Sequence, residues 1–435
     1  MKILHLATHD NFGGAARAAY RQHLALRNHG VDSEMVVRHK HSNDKSVVQY
    51  AGNPGTGHRA ARVLRRAWIS HKEKQSRKNC RQIICGLNDP RADLLRSVDR
   101  RIAEADVINI HKVEHFVDLP AFLSRLGSSK PVVMTMHDLS AITGGCDYPG
   151  SCARFEMSCG RCPIIHSESP LDYSSRIFAM KQKAYRAIPP TQLTFVANSR
   201  WSAEHARRSG LVNGAAVKLI HYGIDPSVYN PERREEARKA LGLGTDEQVL
   251  LFAAHNVGLK HKGGHLLAEA LVSVAQRTKF RVLTMGSGQL ESNAAYRHTH
   301  FGRVGSDQLQ ALLYKAADLF VMPSLEEAFG QTALEAVACG TVVAGFHVGG
   351  IADIIQDGLN GVLVNRGDVR ALGEAIAQLL DNHSLRSHWR NSCRAWVEER
   401  FSYKRNAAAY FELYRSLLSA AVASEQTAPA PGRAG

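Results

Sequence analysis

The chain has 435 residues, 44% of them hydrophobic, with 35 glycines and a formal net charge of +15, enough for two domains of ordinary size. No apolar run approaches the ~20 residues of a membrane span. The start, MKILHLATHD, lacks the basic head, long apolar run and small-residue cleavage site of a signal peptide, so the expectation is a cytoplasmic α/β enzyme whose positive charge favours an anionic partner.

KILHLAT reads as a first strand, and HDNFGGAARAAYRQHLALRNHG as a glycine turn leading into a helix. Gly13 and Gly14 let the backbone approach a ligand at the helix N-terminus, where unpaired N–H groups favour anions. The pattern is not G-x-G-x-x-G, so a dinucleotide reading gains little. Val31 to Val37 is a second strand. Residues 42–90 form a polar insertion that, between His58 and Arg81, carries Arg59, Arg62, Arg65, Arg66, Lys72, Lys74, Arg77 and Lys78 against only Glu73. Val63, Leu64, Ala67, Trp68 and Ile69 interrupt these charges with partial helical periodicity. The segment is a candidate for contact with an anionic membrane surface. A solvated helix packing Trp68 on its own domain is the alternative.

ADVINIH and VVMTMHD are further strands, ending at His111 and His137. In GGCDYPGSCARFEMSCGRCP, four of the eight cysteines, Cys146, Cys152, Cys159 and Cys162, fall in the spacing C-x5-C-x6-C-x2-C. Disulfides are rare in a reducing cytoplasm, and four thiolates ending in a CGRCP knuckle suit structural zinc. A redox-active CxxC and incidental cysteines are the other readings. FVANSRWSAEHARRSGL and VKLIHYGIDPSVYNP continue the strand–helix alternation. The charged stretch PERREEARKALGLGTDE then reads as part of a linker over residues 225–245.

Val249 to Ala253 opens a second unit of the same kind, with Leu266, Leu267 and Leu271 on one helix face. Between them Lys260 and Lys262 precede Gly263, where a lysine at a helix entrance can neutralise a diphosphate. His255, His261 and His265 sit in the loop beside these lysines, which argues against a metal cluster. RVLTMGSG ends in a glycine turn at Gly286 and Gly288. Ser306 is a candidate N-cap, without a capping box because Leu309 stands three residues on. Phe320 to Met322 is a buried strand, followed by PSLEEAFGQTALEAVACGTVVAGFHVGG. Here Glu327 falls in a loop after the strand and Glu335 in the first turns of a helix, at the sheet edge where open α/β proteins bind ligands. Such carboxylates can accept sugar hydroxyls. The structural alternative is a solvated loop acid and a helix-dipole partner.

PSLEEAFGQTALEAVACG resembles the E-x7-E signature of the retaining glycosyltransferases of family 4. The resemblance spans most of residues 1–418 and is strongest at 320–350. It implies the GT-B fold: two Rossmann-like α/β domains facing across a cleft, with a C-terminal helix crossing back. The implied boundaries are 1–224, a linker at 225–245, 246–395, a return helix at 396–420 and a disordered tail at 421–435. The implied reaction moves a hexose from a UDP- or GDP-sugar to a hydroxyl of a glycan or polyprenyl-linked sugar in surface-polysaccharide synthesis, without a catalytic cofactor; the basic segment at 58–81 makes the inner face of the cell membrane a candidate site of peripheral contact. Glu327, His137 and Lys262 would be catalytic, with His111 a weaker candidate. Glu335 would hold the ribose, and donor contacts would come from Lys260, Asn256, Gly13, Gly14, Gly286, Arg303, Val304, Phe329 and Gly330. The family's upstream Arg is absent, with Asn256 near its place. A cysteine insert like that at 144–165 is seen in some bacterial members. Two rivals share parts of this pattern. One is a nucleotide-sugar epimerase or phosphorylase on the same fold. The other is a zinc-containing nucleic-acid binder, disfavoured because the aromatics are few and scattered.

Overall fold

The computed structural model describes residues 1–50, 63–64, 67–71, 74–75, 99–291 and 294–427, the last six of these and residue 99 by backbone alone. The basic segment at 58–81, and with it the membrane-surface reading, falls for the most part outside the described residues. The chain forms two compact units, one comprising residues 1–198, 202–221 and 406–435, the other residues 199–201 and 222–405.

In the first unit β1 (Lys2–His9), β2 (Asp32–His39), β3 (Val47–Gln49), β4 (Val107–Ile110), β5 (Val132–Thr135), β6 (Leu193–Ala197) and β7 (Ala216–Leu219) form one sheet in the order β3-β2-β1-β4-β5-β6-β7. Every pairing is parallel. Parallel strands are covered by helices on both faces, which is why β4, β5 and β6 are mostly apolar, with every residue buried. The chain order reverses between β1 and β4, so a crevice opens beyond their carboxyl ends. The final helix, Tyr403–Thr427, enters this unit at Asn406. Its Tyr414 hydroxyl accepts from Asn109 Nδ2 at 2.7 Å and Gln22 Nε2 at 3.3 Å, and Thr135 Oγ1 donates to Asn109 Oδ1 at 2.8 Å. This buried network fixes the helix on the sheet. The helix runs to Thr427, past the expected end of order at 420.

In the second unit β8 (Val249–Asn256), β9 (Arg281–Ser287), β10 (Arg297–His300), β11 (Leu319–Met322), β12 (Val342–Phe346) and β13 (Gly361–Val364) follow the order β10-β9-β8-β11-β12-β13. This sheet too is entirely parallel, and its order reverses between β8 and β11. Residues 225–245, expected as a linker, belong to this unit. Helix Arg234–Ala240 is anchored to it by charge: Arg234 and Arg238 both reach the Asp318 carboxylate, at 2.6 and 3.2 Å. Helix His383–Phe401 also lies in this unit, so the return to the first begins later than position 396. Among the described residues no helix is long and apolar enough to cross a membrane.

Candidate active site

The second unit brings its chemistry together at the reversal of strand order. After β8 the chain makes a short turn, Lys260–Lys262, and enters helix Gly264–Ala275. After β11 it passes through Pro323 to Gly330 and enters helix Gln331–Ala338. Since β8 and β11 are neighbours, these loops meet. Lys262 Nζ donates to Glu327 Oε2 at 2.6 Å, and both side chains are part-buried. Leu325 N–H donates to the His261 carbonyl at 2.8 Å, which ties the loops by backbone as well.

Two glycines make this approach possible. Gly263 has φ +72° and a Cβ there would stand 1.8 Å from the Pro323 carbonyl oxygen; Gly349 has φ +50° and a Cβ there would stand 1.7 Å from that of Glu327. No side chain fits either place, and the backbone conformation itself favours glycine. The Glu327 carbonyl also accepts from Gly350 N–H at 3.2 Å. The Glu327 loop is therefore clamped between the Lys262 turn and the turn after β12.

The remaining expected donor contacts divide. Glu335 is buried in helix Gln331–Ala338, where its Oε2 accepts from the Tyr314 hydroxyl at 2.9 Å. Asn256 Oδ1 accepts from Gly258 N–H at 2.9 Å, so this oxygen shapes the loop leaving β8. Gly286 N–H donates to the Gly302 carbonyl at 2.8 Å, and Gly286 itself abuts the Ala254 carbonyl, bringing residues 302–304 to the end of β8. Arg303 is close enough that, after burial, its charge is the next cause lowering the His255 pKa, followed by Lys262. A cation thus does stand near the β8 edge, although it comes from the loop after β10, where linear spacing could not reveal it. The Val304 carbonyl accepts from Gln310 Nε2 at 2.5 Å. Phe329 is buried. Its ring is buried edge-on to Tyr222 and Phe401, at 4.8 and 6.2 Å between centroids, so its side chain serves the core. Gly330 caps helix Gln331–Ala338 at φ 102°. Lys260 is exposed on its turn. Glu326 faces Arg366 at 3.7 Å.

In the first unit Gly13 precedes helix Gly14–Asn28 with φ 86°, and nothing lies within 4 Å of a Cβ built on it. Positive φ, not close approach, is what calls for glycine there. His111 and His137 follow β4 and β5 and line a small pocket with Lys112, Glu114, Asp138, Lys181 and apolar side chains including Met134 and Met136. Its lining, apolar with a few convergent polar groups, is of the kind that holds small ligands. Lys112 pairs with Asp138 and with Asp147, the latter at 3.1 Å. Burial opposes the Lys112 charge, but the three carboxylates Asp138, Asp147 and Glu114 outweigh it and hold its pKa well above the usual value. Sequence reasoning missed this charged cluster, because its members lie on separate loops.

Burial lowers the pKa of His23 and His137 to about 4, and those of His5 and His111 also fall well below the usual value. The unfolded chain takes up these protons near pH 6.5, the folded chain only further down. Stability is thus drawn off as pH falls from about 6.5 towards 4. Thermal melting is expected to move down steadily across that window, and a flat profile would contradict the neutral, buried state of these rings.

The cysteine insert folds as short turns between β5 and helix Tyr173–Tyr185. Cys146, Cys152, Cys159 and Cys162 all line one cavity, about 330 Å³, and all four are free thiols. The knuckle turns through positive φ at Cys159, Gly160 and Arg161, and Gly144 N–H donates to Cys159 Sγ at 3.2 Å. Burial pushes the Cys159 thiol up to about 12. Among the described residues no group of three or more His, Cys, Asp or Glu side chains is disposed to hold a metal ion. The four thiols share one cavity wall.

Residues 247–382 match the family of group 1 glycosyl transferases. This stretch holds both Lys262 and Glu327. The chain is similar to D-inositol 3-phosphate glycosyltransferase of Mycolicibacterium smegmatis, 27% identical over 82% of this chain and 76% of that one. For other curated relatives the match spans only about half of their length. Among solved structures, sucrose-phosphate synthase from Thermosynechococcus elongatus superposes with a TM-score of 0.67 at 19% identity, covering 97% of this chain and 100% of that one. The Anabaena protein HepE, solved in complex with UDP-glucose, superposes with a TM-score of 0.63 at 18% identity, covering 96% and 100%. The fold is the α/β architecture of these GT-B glycosyltransferase structures, with two parallel-sheet Rossmann-like units.

Proposed function

We propose that the protein is a glycosyltransferase that moves a hexose from a nucleoside-diphosphate sugar to a hydroxyl of a glycan or lipid-linked sugar, with retention of configuration. The observation that carries this reading is the Lys262–Glu327 contact at 2.6 Å, at the strand-order reversal of the unit whose sequence matches the glycosyl transferases. An ammonium has three donors, and one is spent on Glu327. The side chain is thereby held in place before a diphosphate arrives. Cleavage of the sugar–oxygen bond leaves negative charge on the departing phosphate, which Lys262 stabilises, and a preorganised charge at that position is the largest single catalytic term in such sites. Glu327 keeps the lysine oriented and offers its carboxylate to sugar hydroxyls. The acceptor hydroxyl attacks from the face that the leaving group vacates, and its proton passes to a phosphate oxygen. In the first unit, the pocket at His111 and His137 takes the acceptor.

The donor is found by screening UDP- and GDP-sugars for thermal stabilisation, since a ligand bound only to folded protein raises apparent stability by mass action. Acceptor-dependent release of nucleoside diphosphate is then the activity readout. Release of free sugar without an acceptor, or dependence on inorganic phosphate, would favour an epimerase or phosphorylase instead.

For the insert we propose structural zinc, supported by the shared thiol cavity, the left-handed knuckle and the donor set. Binding requires the side chains to turn inward and the thiols to lose their protons. Metal analysis of protein made in zinc-replete medium is expected to give about one equivalent per chain. Metal-free protein of undiminished stability would sink this proposal.

A further inference from the structure

Three histidines, one on β1 and one just beyond the end of each of β4 and β5, form a line along the first sheet. β1 is paired with β4, and β4 with β5, so that His5 stands level with Asn109, and Ile110 with Met134. His111 is therefore two residues further along than His5, and His137 advances by the same step on the next strand. Side chains two apart share a sheet face, so the rings climb one face diagonally towards the carboxyl edge. They touch in sequence: His5 Nδ1 is 2.9 Å from His111 Nε2, and His111 Nδ1 is 2.9 Å from His137 Nε2. All three are buried. Beyond His5 the line stops. His23 meets the His5 ring edge-on at 5.8 Å, but its own nitrogens go to Ser33 Oγ and Ser46 Oγ, at 2.7 and 2.8 Å.

A neutral imidazole carries one N–H and one lone pair, so a chain of such rings must run in a single direction. If His137 Nε2–H donated inward, the last proton would sit on His5 Nε2, which is buried without a hydrogen-bond partner among the described residues. An orphaned buried N–H is a rare and costly feature, and an unfilled acceptor is better tolerated. The opposite direction leaves only a lone pair there. We infer that His5 Nδ1–H donates to His111 Nε2 and His111 Nδ1–H to His137 Nε2, so that His137 is locked as the Nδ1–H tautomer, whose second ring nitrogen is a hydrogen-bond donor rather than a base. His5 and His111 are positioning residues, acting through His137. The charged groups next to His137 are Asp138 and Lys112, which pair with each other and so spare the ring a net charge.

The consequence for activity rests on the reading of His137 as a site residue, whereas the tautomer does not. Full-length protein labelled with 15N-histidine, with signals assigned from single-histidine variants, reports which ring nitrogen carries each proton. All three rings are expected as neutral Nδ1–H tautomers, and an Nε2–H tautomer at His137 overturns the inference whatever the activity. His111→Phe removes the donor to His137 and is expected to release its tautomer into a mixture, while His111→Gln, which can still donate, retains it. Should the phenylalanine variant fail to fold, the wild-type spectrum alone still decides. In acceptor-dependent turnover, kcat is expected to fall in His111→Phe and to recover in His111→Gln, with KM for the donor unchanged. If the tautomers are as inferred but neither variant alters turnover, the fault lies with the role assigned to His137.

Discussion

Replacing Lys262 by alanine is expected to cut acceptor-dependent nucleoside-diphosphate release by about 10²–10³-fold, the range for removal of one preorganised electrostatic group. The fold should survive, because the side chain is part-buried at a loop and the loops remain joined through Leu325 N–H and the His261 carbonyl. Glu327→Gln keeps the shape but removes the charge that fixes the ammonium. Its effect should lie in the same direction and be smaller, since the lysine can still reach a diphosphate. The two losses should not add in a double variant, because the residues act as one unit. Full activity in Lys262→Ala, with the donor identified by thermal stabilisation, would remove the site assignment altogether.

Asp318→Ala carries the largest expected cost in stability, about 3–5 kcal/mol. Asp318 accepts from Arg234, Arg238 and the Val249 N–H at 2.6, 3.2 and 2.9 Å. It also makes the largest contribution against the burial of Arg386, ahead of Asp381, and of Arg390. Burial holds the Arg234 pKa down to about 10, with the neighbouring Arg390 charge adding to the effect. Removing the carboxylate therefore leaves several guanidinium groups without their counter-ion, which costs far more than the pair itself contributes. The arginines keep carbonyl partners, for example Arg234 to Lys315 O at 2.6 Å and Arg238 to Ala316 O at 2.9 Å. For this reason, hydrogen exchange should show opening concentrated in helix Arg234–Ala240 and the start of β8. A loss below about 1 kcal/mol would mean that solvent reaches the cluster.

Much of the architecture was legible because parallel strands are buried on both faces and so stand out as mostly apolar runs, as in Val107–Ile110 and Leu319–Met322. The short strands were not. Val47–Gln49 lies at the sheet margin inside the polar insertion, and Arg297–His300, RHTH, has no apolar pattern at all, being held by pairing with β9. Helix Arg234–Ala240 looked like a linker because it is highly charged. Two of its charges, Arg234 and Arg238, turn out to be directed at Asp318, some eighty residues away in sequence.

The candidate site divides in the same way. The chain alone determined that Lys262 and Glu327 follow strands at ligand-binding edges, since a lysine–glycine entrance and a strand–loop–helix pattern are local features. It also determined the cysteine spacing. Only the tertiary structure decided that Lys262 and Glu327 touch, that Phe329 belongs to the core, that Arg303 stands near the β8 edge and that three histidines join end to end. Strand order is the physical reason. Pairing β8 with β11 and lining up β1, β4 and β5 brings together residues that no spacing along the chain relates.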